Sequence, residues 1–194
     1  MFEKYKKNFW QIAIFFPIIF YFGKRSYLAF DEGFYALQAR WIIDKGNWVI
    51  PKWWDQYVLD RTIGIQFLIA KSQEIFGNNV FAAHIPTTIS AIIMLIITYK
   101  LHKELVGDRN AIISPIILST TYIWFDFAHL ATQDLIFSCL VSIAIFASIK
   151  INNSKHDSIY LFIFGFWIGL AFMMKTFLVA IPCLSFIPYI FNRK

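Results

Sequence analysis

The stretch VFAAHIPTTISAIIMLIITYKL, residues 80–101, is an apolar run of bilayer length with no acidic residue. About 20 predominantly apolar residues span a hydrocarbon core. Comparable runs recur near 9–22, 111–125, 135–149, 159–174 and 177–191. Several are a few residues short, but Trp, Tyr or Lys at their ends suits the interface and can snorkel. Five or six crossings are predicted, each a continuous helix, because lipid offers no partners to free backbone groups. The expected fold is therefore all-α: a polytopic membrane helix bundle occupying residues 1–194 as one unit.

Composition agrees. The chain has 194 residues, 58% hydrophobic and 15% charged, against about 25% charged in soluble domains. The net charge of +6 does not point to nucleic acid, since the basic residues sit mostly in short linkers between apolar runs. Cys139 and Cys183 lie inside such runs without a CxxC pairing and read as small apolar filler. Lys4, Lys6 and Lys7 precede the first run, and Gly23-Lys24-Arg25 follows it in place of a small-x-small cleavage site. An uncleaved first crossing is expected.

Basic residues also set orientation. With a cytoplasmic amino terminus, Lys100 to Arg109, Lys150 to Asp157 and Asn192-Arg193-Lys194 are cytoplasmic too. The match to a glycosylation acceptor at Asn152-Asn153-Ser154 then falls on the wrong side and reads as chance. The outer loop 24–79 and the turn from Asp126 to Asp134 face outward. Asp31, Glu32, Asp126, His129, Asp134 and Lys175 come out at one face, although they are spread along the chain.

Within the outer loop, Phe30, Phe34, Leu37 and Trp41 form a helical stripe. It suits an amphipathic juxtamembrane helix with its oily side down, and Asp31 and Tyr35, four apart, share a face. Gly46 and Pro51 end it. Trp48, Trp53, Trp54 and Tyr57 follow, either an interfacial belt or a sugar or prenyl contact. A second apolar stretch, Ile63 to Ile69, leads to a stop at Gly77. Carboxylates beside lipid are costly and tend to mark chemistry, so Asp31 and Glu32 are candidates for it. The plainer alternative is that Asp31 caps the helix while Glu32 complements its dipole.

Asp31-Glu32-Gly33-Phe34-Tyr35 with Trp48-Val49-Ile50-Pro51 resembles the first outer loop of the polyprenyl-phosphate-sugar glycosyltransferases. These are the protein O-mannosyltransferases and the aminoarabinose transferase of lipid A, with the GT-C membrane fold. Phe76 to Pro86 is similar to the family's approach to its second crossing, where Arg is commoner than His84. Ala128-His129-Leu130-Ala131-Thr132-Gln133-Asp134 resembles its second outer turn. Gly169 to Lys175 resembles a later stretch ending in Lys-Gly, with Thr176 here in place of Gly. One departure is Asp60-Arg61-Thr62-Ile63-Gly64, where the family commonly has a Lys-Pro-Pro stretch that contacts the lipid phosphate. Another is length: family members are longer, so the resemblance covers an amino-terminal portion, and little or no turnover is expected of this chain by itself.

The resemblance implies transfer of a sugar from a polyprenyl-phosphate donor to a hydroxyl on a lipid, glycan or protein acceptor, at the outer face of a bacterial inner membrane. Asp31 is then the general base, Glu32 positions the acceptor or shares that role, and Asp134 orients the donor or holds the loops together by hydrogen bonds. Arg61 binds the donor phosphate, with Lys175 adding positive charge, although a snorkelling helix-end lysine explains Lys175 equally well. His129 supports the loops by hydrogen bonding, and Tyr35 orients Asp31 or anchors the interface. Asp126 reads as a plain helix-end residue. No cofactor or metal is required, although Asp31, Glu32 and Asp134 are of the oxygen-ligand type that divalent cations take. Two other readings stand beside this one: a catalytically silent piece of such an enzyme, and a small transporter or lipid-binding membrane protein. Against transport, the acids gather at helix ends and no inverted repeat is visible.

Overall fold

The computed structural model describes residues 14–19, 26–27, 31–50, 52–54, 56–58, 62–151 and 157–184. Within them the chain is a helix bundle: α1 (Phe16–Ile19), α2 (Asp31–Lys45), α3 (Gly64–Phe76), α4 (Val80–Leu105), α5 (Ile113–Thr120), α6 (Tyr122–Ala128), α7 (Gln133–Lys150) and α8 (Asp157–Lys175). A 3-10 turn, Thr176–Val179, follows α8, and 180–184 are again helical. The all-α expectation omits one feature, a two-residue strand pair between α2 and α3. In it Lys52 pairs with Tyr57 and Trp53 with Gln56, antiparallel.

Val80–Leu105, Gln133–Lys150 and Asp157–Leu184 are each long and apolar enough to cross a membrane. The expected run 9–22 is described only at 14–19, and 185–191 lie outside the described residues. The stretches 159–174 and 177–191 were expected as two crossings; the described part runs as one helical stretch with a 3-10 interruption at 176–179.

The run 111–125 differs from the expected single helix, since α5 and α6 meet at Thr121, whose backbone is extended (ψ 125). The break is tolerated because side chains replace the lost backbone bonds. Thr120 Oγ1 donates to the carbonyls of Ile116 and Ile117, and Thr121 Oγ1 donates to Ile117 at 2.8 Å.

Contacts at both ends fix helix directions. Lys150 of α7 meets Glu104 of α4, and the amino-terminal ends of the same two helices lie together, as described below. So α4 and α7 run parallel, while the α5–α6 pair returns between their ends. Helix α8 is antiparallel to α7, because Lys175 at its end reaches Asp134 at the start of α7.

The larger core joins α2, α3, α7 and α8 through Tyr35, Ala39, Ile42, Ile65, Ile69, Ile136, Leu140 and Ala171. The expected stripe of α2 is not its buried face. Leu37 is exposed, Phe34 and Trp41 are half-buried, and Glu32, Tyr35, Ala39 and Ile42 face the protein. Of the stripe, Leu37 points outward, as suits a helix lying in the lipid interface, whereas Phe34 packs against the core and stacks on Trp53.

Two joints hold this juxtamembrane layer to the long helices. Pro86 has no N–H, so the Ala82 carbonyl one turn earlier loses its partner within α4. Ser72 Oγ of α3 donates to that carbonyl at 2.6 Å. At α8, the Met174 carbonyl accepts from Thr62 Oγ1 at 2.9 Å, satisfying one of the orphan groups of a helix end. Next to it, Gly64 is packed so closely that a Cβ there would lie 2.5 Å from the Met173 carbonyl oxygen.

Candidate active site at one end of the bundle

Helix α2 begins with two carboxylates of opposite environment. Asp31 is exposed, whereas Glu32 is 1% exposed. A buried carboxylate requires partners, and Glu32 has them on two distant segments. Its Oε1 accepts the backbone N–H of Ala131 at 2.8 Å and lies 2.7 Å from Nε2 of His84. The His84 contact is an ion pair in distance, although its angle falls short of an aligned hydrogen bond.

Local structure explains how His84 arrives there. Asn79 caps α4, its side chain accepting from the Ala82 N–H at 2.8 Å. In the second turn, His84 is 4% exposed, and its Nδ1 donates to the Val80 carbonyl at 2.7 Å. Tyr27 stacks on the imidazole, with centroids 6.1 Å apart and planes 12° apart. The Tyr27 hydroxyl accepts from Gln73 Nε2 at 3.3 Å. Burial, and then the charge of Glu32, push the Tyr27 phenol above its ordinary value.

The turn carrying Ala131 also carries His129. Its Nδ1 donates to the Phe125 carbonyl at 2.7 Å, and its ring lies against that of Phe125. His129 thus closes the end of α6. At the head of α7, Asp134 Oδ1 accepts from Lys175 Nζ at 2.5 Å. Both groups are partly accessible, at 37% and 20% of their side-chain surface.

The expected residues therefore gather as follows. Glu32, the His129 turn, Asp134 and Lys175 are linked by contacts at the end of the bundle where α4 and α7 begin and α8 ends, and Asp31 adjoins Glu32. Tyr35 is 1% exposed within the larger core, away from any lipid-facing surface. Arg61 lies outside the described residues; the chain resumes at Thr62, bonded to Met174. Among the tryptophans, Trp53 stacks on Phe34, Trp48 packs edge-on to Phe67 beneath Lys71, and Trp54 is exposed. Among the described residues, no three His, Cys, Asp or Glu side chains are grouped to hold a metal ion.

His84 was not among the residues singled out from the sequence. A signal was present: an ionisable residue near the head of an apolar helix needs a counter-charge, and Glu32 supplies it.

Residues 60–193 match the family model described as dolichyl-phosphate-mannose-protein mannosyltransferase. The chain belongs to this family. Among its relatives is the undecaprenyl phosphate-alpha-4-amino-4-deoxy-L-arabinose arabinosyl transferase 2 of Proteus mirabilis. It is 27% identical over 190 residues, covering 94% of this chain and 34% of that protein. The corresponding transferase of Photorhabdus laumondii is 25% identical, with the same coverage. The fold is similar to the crystal structure of ArnT from Cupriavidus metallidurans in the apo state, with a TM-score of 0.85 and 16% identity, over 97% of this chain and 36% of that one. The same enzyme bound to undecaprenyl phosphate gives a TM-score of 0.83 and 17% identity, over 93% and 34%. The chain thus spans about a third of the length of the relatives it matches, has the fold of a portion of a GT-C-type bundle, and is a multi-pass membrane protein.

Proposed function

We propose that this chain carries the catalytic carboxylate end of a membrane glycosyltransferase, which moves a sugar from a polyprenyl-phosphate donor to an acceptor hydroxyl. The observation that carries this reading is the pairing of an exposed Asp31 with a buried, doubly held Glu32, beside the Asp134–Lys175 pair. The family membership and the names of the relatives support the same chemistry.

The transfer makes two demands. The acceptor oxygen attacks the anomeric carbon and gives up its proton, while the bond to the phosphate oxygen breaks and polyprenyl phosphate leaves with the electron pair. Asp31, solvent-accessible and fixed by its neighbour, accepts the proton. The departing phosphate needs positive charge more than a proton, and Lys175 and Arg61 supply it. Glu32 is too enclosed to meet an acceptor, so its role is to anchor Asp31 to the 129–132 turn.

The opposite end of the bundle bears Lys100, Lys103, Arg109 and Lys150, and this charge supports a cytoplasmic side for that end, with the carboxylate end at the outer face of a bacterial inner membrane.

The test is transfer of radiolabelled sugar from polyprenyl phosphate by the purified chain, alone and together with the product of any reading frame that follows it. Low turnover alone and robust turnover together is the expected result. No transfer in either preparation overturns the reading, and substrate uptake into proteoliposomes without transfer replaces it with transport.

A further inference from the structure

Helix α8 carries an apolar face that no other described element covers. In the most apolar part of each crossing, 39% of α4 and 44% of α7 is buried inside the protein, against 17% of 157–184. One side of α8 meets the core through Trp167, Ala171 and Met174. The other side presents Phe162, Gly165, Phe166, Gly169, Phe172 and Met173, all exposed. At about 3.6 residues per turn, these six fall within about one third of the helix circumference. Gly165 and Gly169 stand in the middle of that face, one turn apart. Among the described residues, no atom lies within 4 Å of where a Cβ would sit on either. Glycine weakens a helix relative to alanine, and a lipid chain gains nothing from the missing side chain. A second helix does gain, because its backbone can approach closely and make dispersion contacts along its length. Phe162 and Phe166 stack beside the glycines, with rings 6.1 Å apart and planes 17° apart, as a wall for such a neighbour.

The occupant follows from the share of the fold that this chain holds. It covers 36% of the ArnT chain whose fold it matches and 34% of the Proteus mirabilis relative. About two-thirds of the family's length therefore lies outside these residues, and of the three described crossings α8 offers the most open side for it to pack against. We propose that the Gly165–Gly169 face of α8 is the seam onto which an apolar transmembrane helix from that remaining two-thirds packs. The face continues past Phe172 to Phe177, whose rings meet edge-on at 5.9 Å, with Lys175 between them in sequence. A helix seated along it reaches the level of the Asp134–Lys175 pair and walls that side of the candidate site. This last step rests on the glycosyltransferase reading; the docking itself rests on the fold alone.

Photocrosslinking in native membranes tests it. The chain is expressed in the cells that make it, with photoreactive benzoylphenylalanine in place of Phe166, irradiated, and the crosslinked peptides are sequenced. They should come from an apolar segment that matches the relatives outside the third spanned here. Crosslinks confined to lipid, to these 194 residues in the same or a second copy, or to a polypeptide unrelated to the family overturn the proposal. Gly165→Leu combined with Gly169→Leu should abolish the crosslink. The chain itself should keep its unfolding midpoint in detergent, since a Cβ at either position meets no described atom. A crosslink that survives the double substitution overturns the glycine seam. In whichever preparation transfers sugar, the same double variant should lose that transfer, and full transfer without the crosslink overturns the link to the site. Absence of transfer from every preparation sinks the transferase reading, while the identity of the crosslinked peptide still decides the docking.

Discussion

Asp134 and Lys175 are 41 residues apart in sequence and join the head of α7 to the foot of α8 through a 2.5 Å contact. Both are partly exposed, so the pair contributes at most about 1 kcal/mol to stability. Its importance is competitive. If Lys175 receives the donor phosphate, it must leave or share Asp134.

Asp134→Asn should therefore free Lys175 and tighten polyprenyl-phosphate binding, by up to about fivefold for a competing contact worth 1 kcal/mol. Turnover should fall in the same variant if Asp134 also orients the donor. Binding measured by tryptophan fluorescence titration checks the first part. Unchanged or weaker binding removes Lys175 from the phosphate site.

Asp31→Asn keeps the size of the side chain and removes its basicity. In the active preparation, turnover should drop by about 10²- to 10⁴-fold, the usual contribution of a general base, while donor affinity stays near wild type. Loss of donor affinity with normal turnover at saturation would take the base role away from Asp31.

Much of this arrangement was readable in the chain, for identifiable reasons. Long apolar runs gave α4, α7 and α8, because hydrocarbon leaves a continuous helix as the one way to satisfy the backbone there. Turn chemistry gave the ends of α2 and α3 at Gly46 and Gly77, both at positive φ. Which face of α2 would be buried was not legible. Of the stripe Phe34, Leu37 and Trp41, Leu37 turns outward and the other two are half-buried, Phe34 against the core, while the polar Glu32 and Gln38 go inside. Nor was the Glu32–His84 pair legible, because the two are brought together by packing between α2 and α4, not by local pattern. The break at Thr121 was hidden because hydroxyls restore what the backbone gives up.

Gly64→Ala tests the close approach of α3 to the end of α8. The added methyl would meet the Met173 carbonyl oxygen at 2.5 Å and Met174 Sδ at 2.8 Å. The thioether can swing aside, but the carbonyl belongs to backbone. Overpacking of this kind costs about 1–3 kcal/mol, and thermal unfolding in detergent should fall accordingly. An unchanged midpoint would mean that α3 and α8 separate more easily than their packing implies.

Thr176 stands at φ 47, where the resembling family stretch has Gly. A β-branched residue there carries about 1–2 kcal/mol of steric strain. Thr176→Gly should relieve it, less the greater freedom glycine gives the unfolded chain, for a net gain near or below 1 kcal/mol. A rise in the unfolding midpoint with unaltered donor binding is expected. If transfer falls while stability rises, the strain beside Lys175 serves the site.

Ser72 and Pro86 form the joint whose energetics can be isolated most cleanly. Pro86 deprives the Ala82 carbonyl of its helical donor, and Ser72 replaces that donor from another helix at 2.6 Å. Ser72→Ala should then leave a buried acceptor unpaired, at about 1–3 kcal/mol. Restoring a backbone N–H by Pro86→Ala supplies the missing donor from within α4, so the double variant should be less destabilised than Ser72→Ala alone. A double-mutant cycle on thermal or denaturant unfolding measures the coupling. Because the joint sits two residues before His84, Ser72→Ala should also loosen the Glu32 contact and slow transfer, and Pro86→Ala should restore both together. Simple additivity of the two substitutions would show that the carbonyl finds another partner and that the joint does not hold His84 in place.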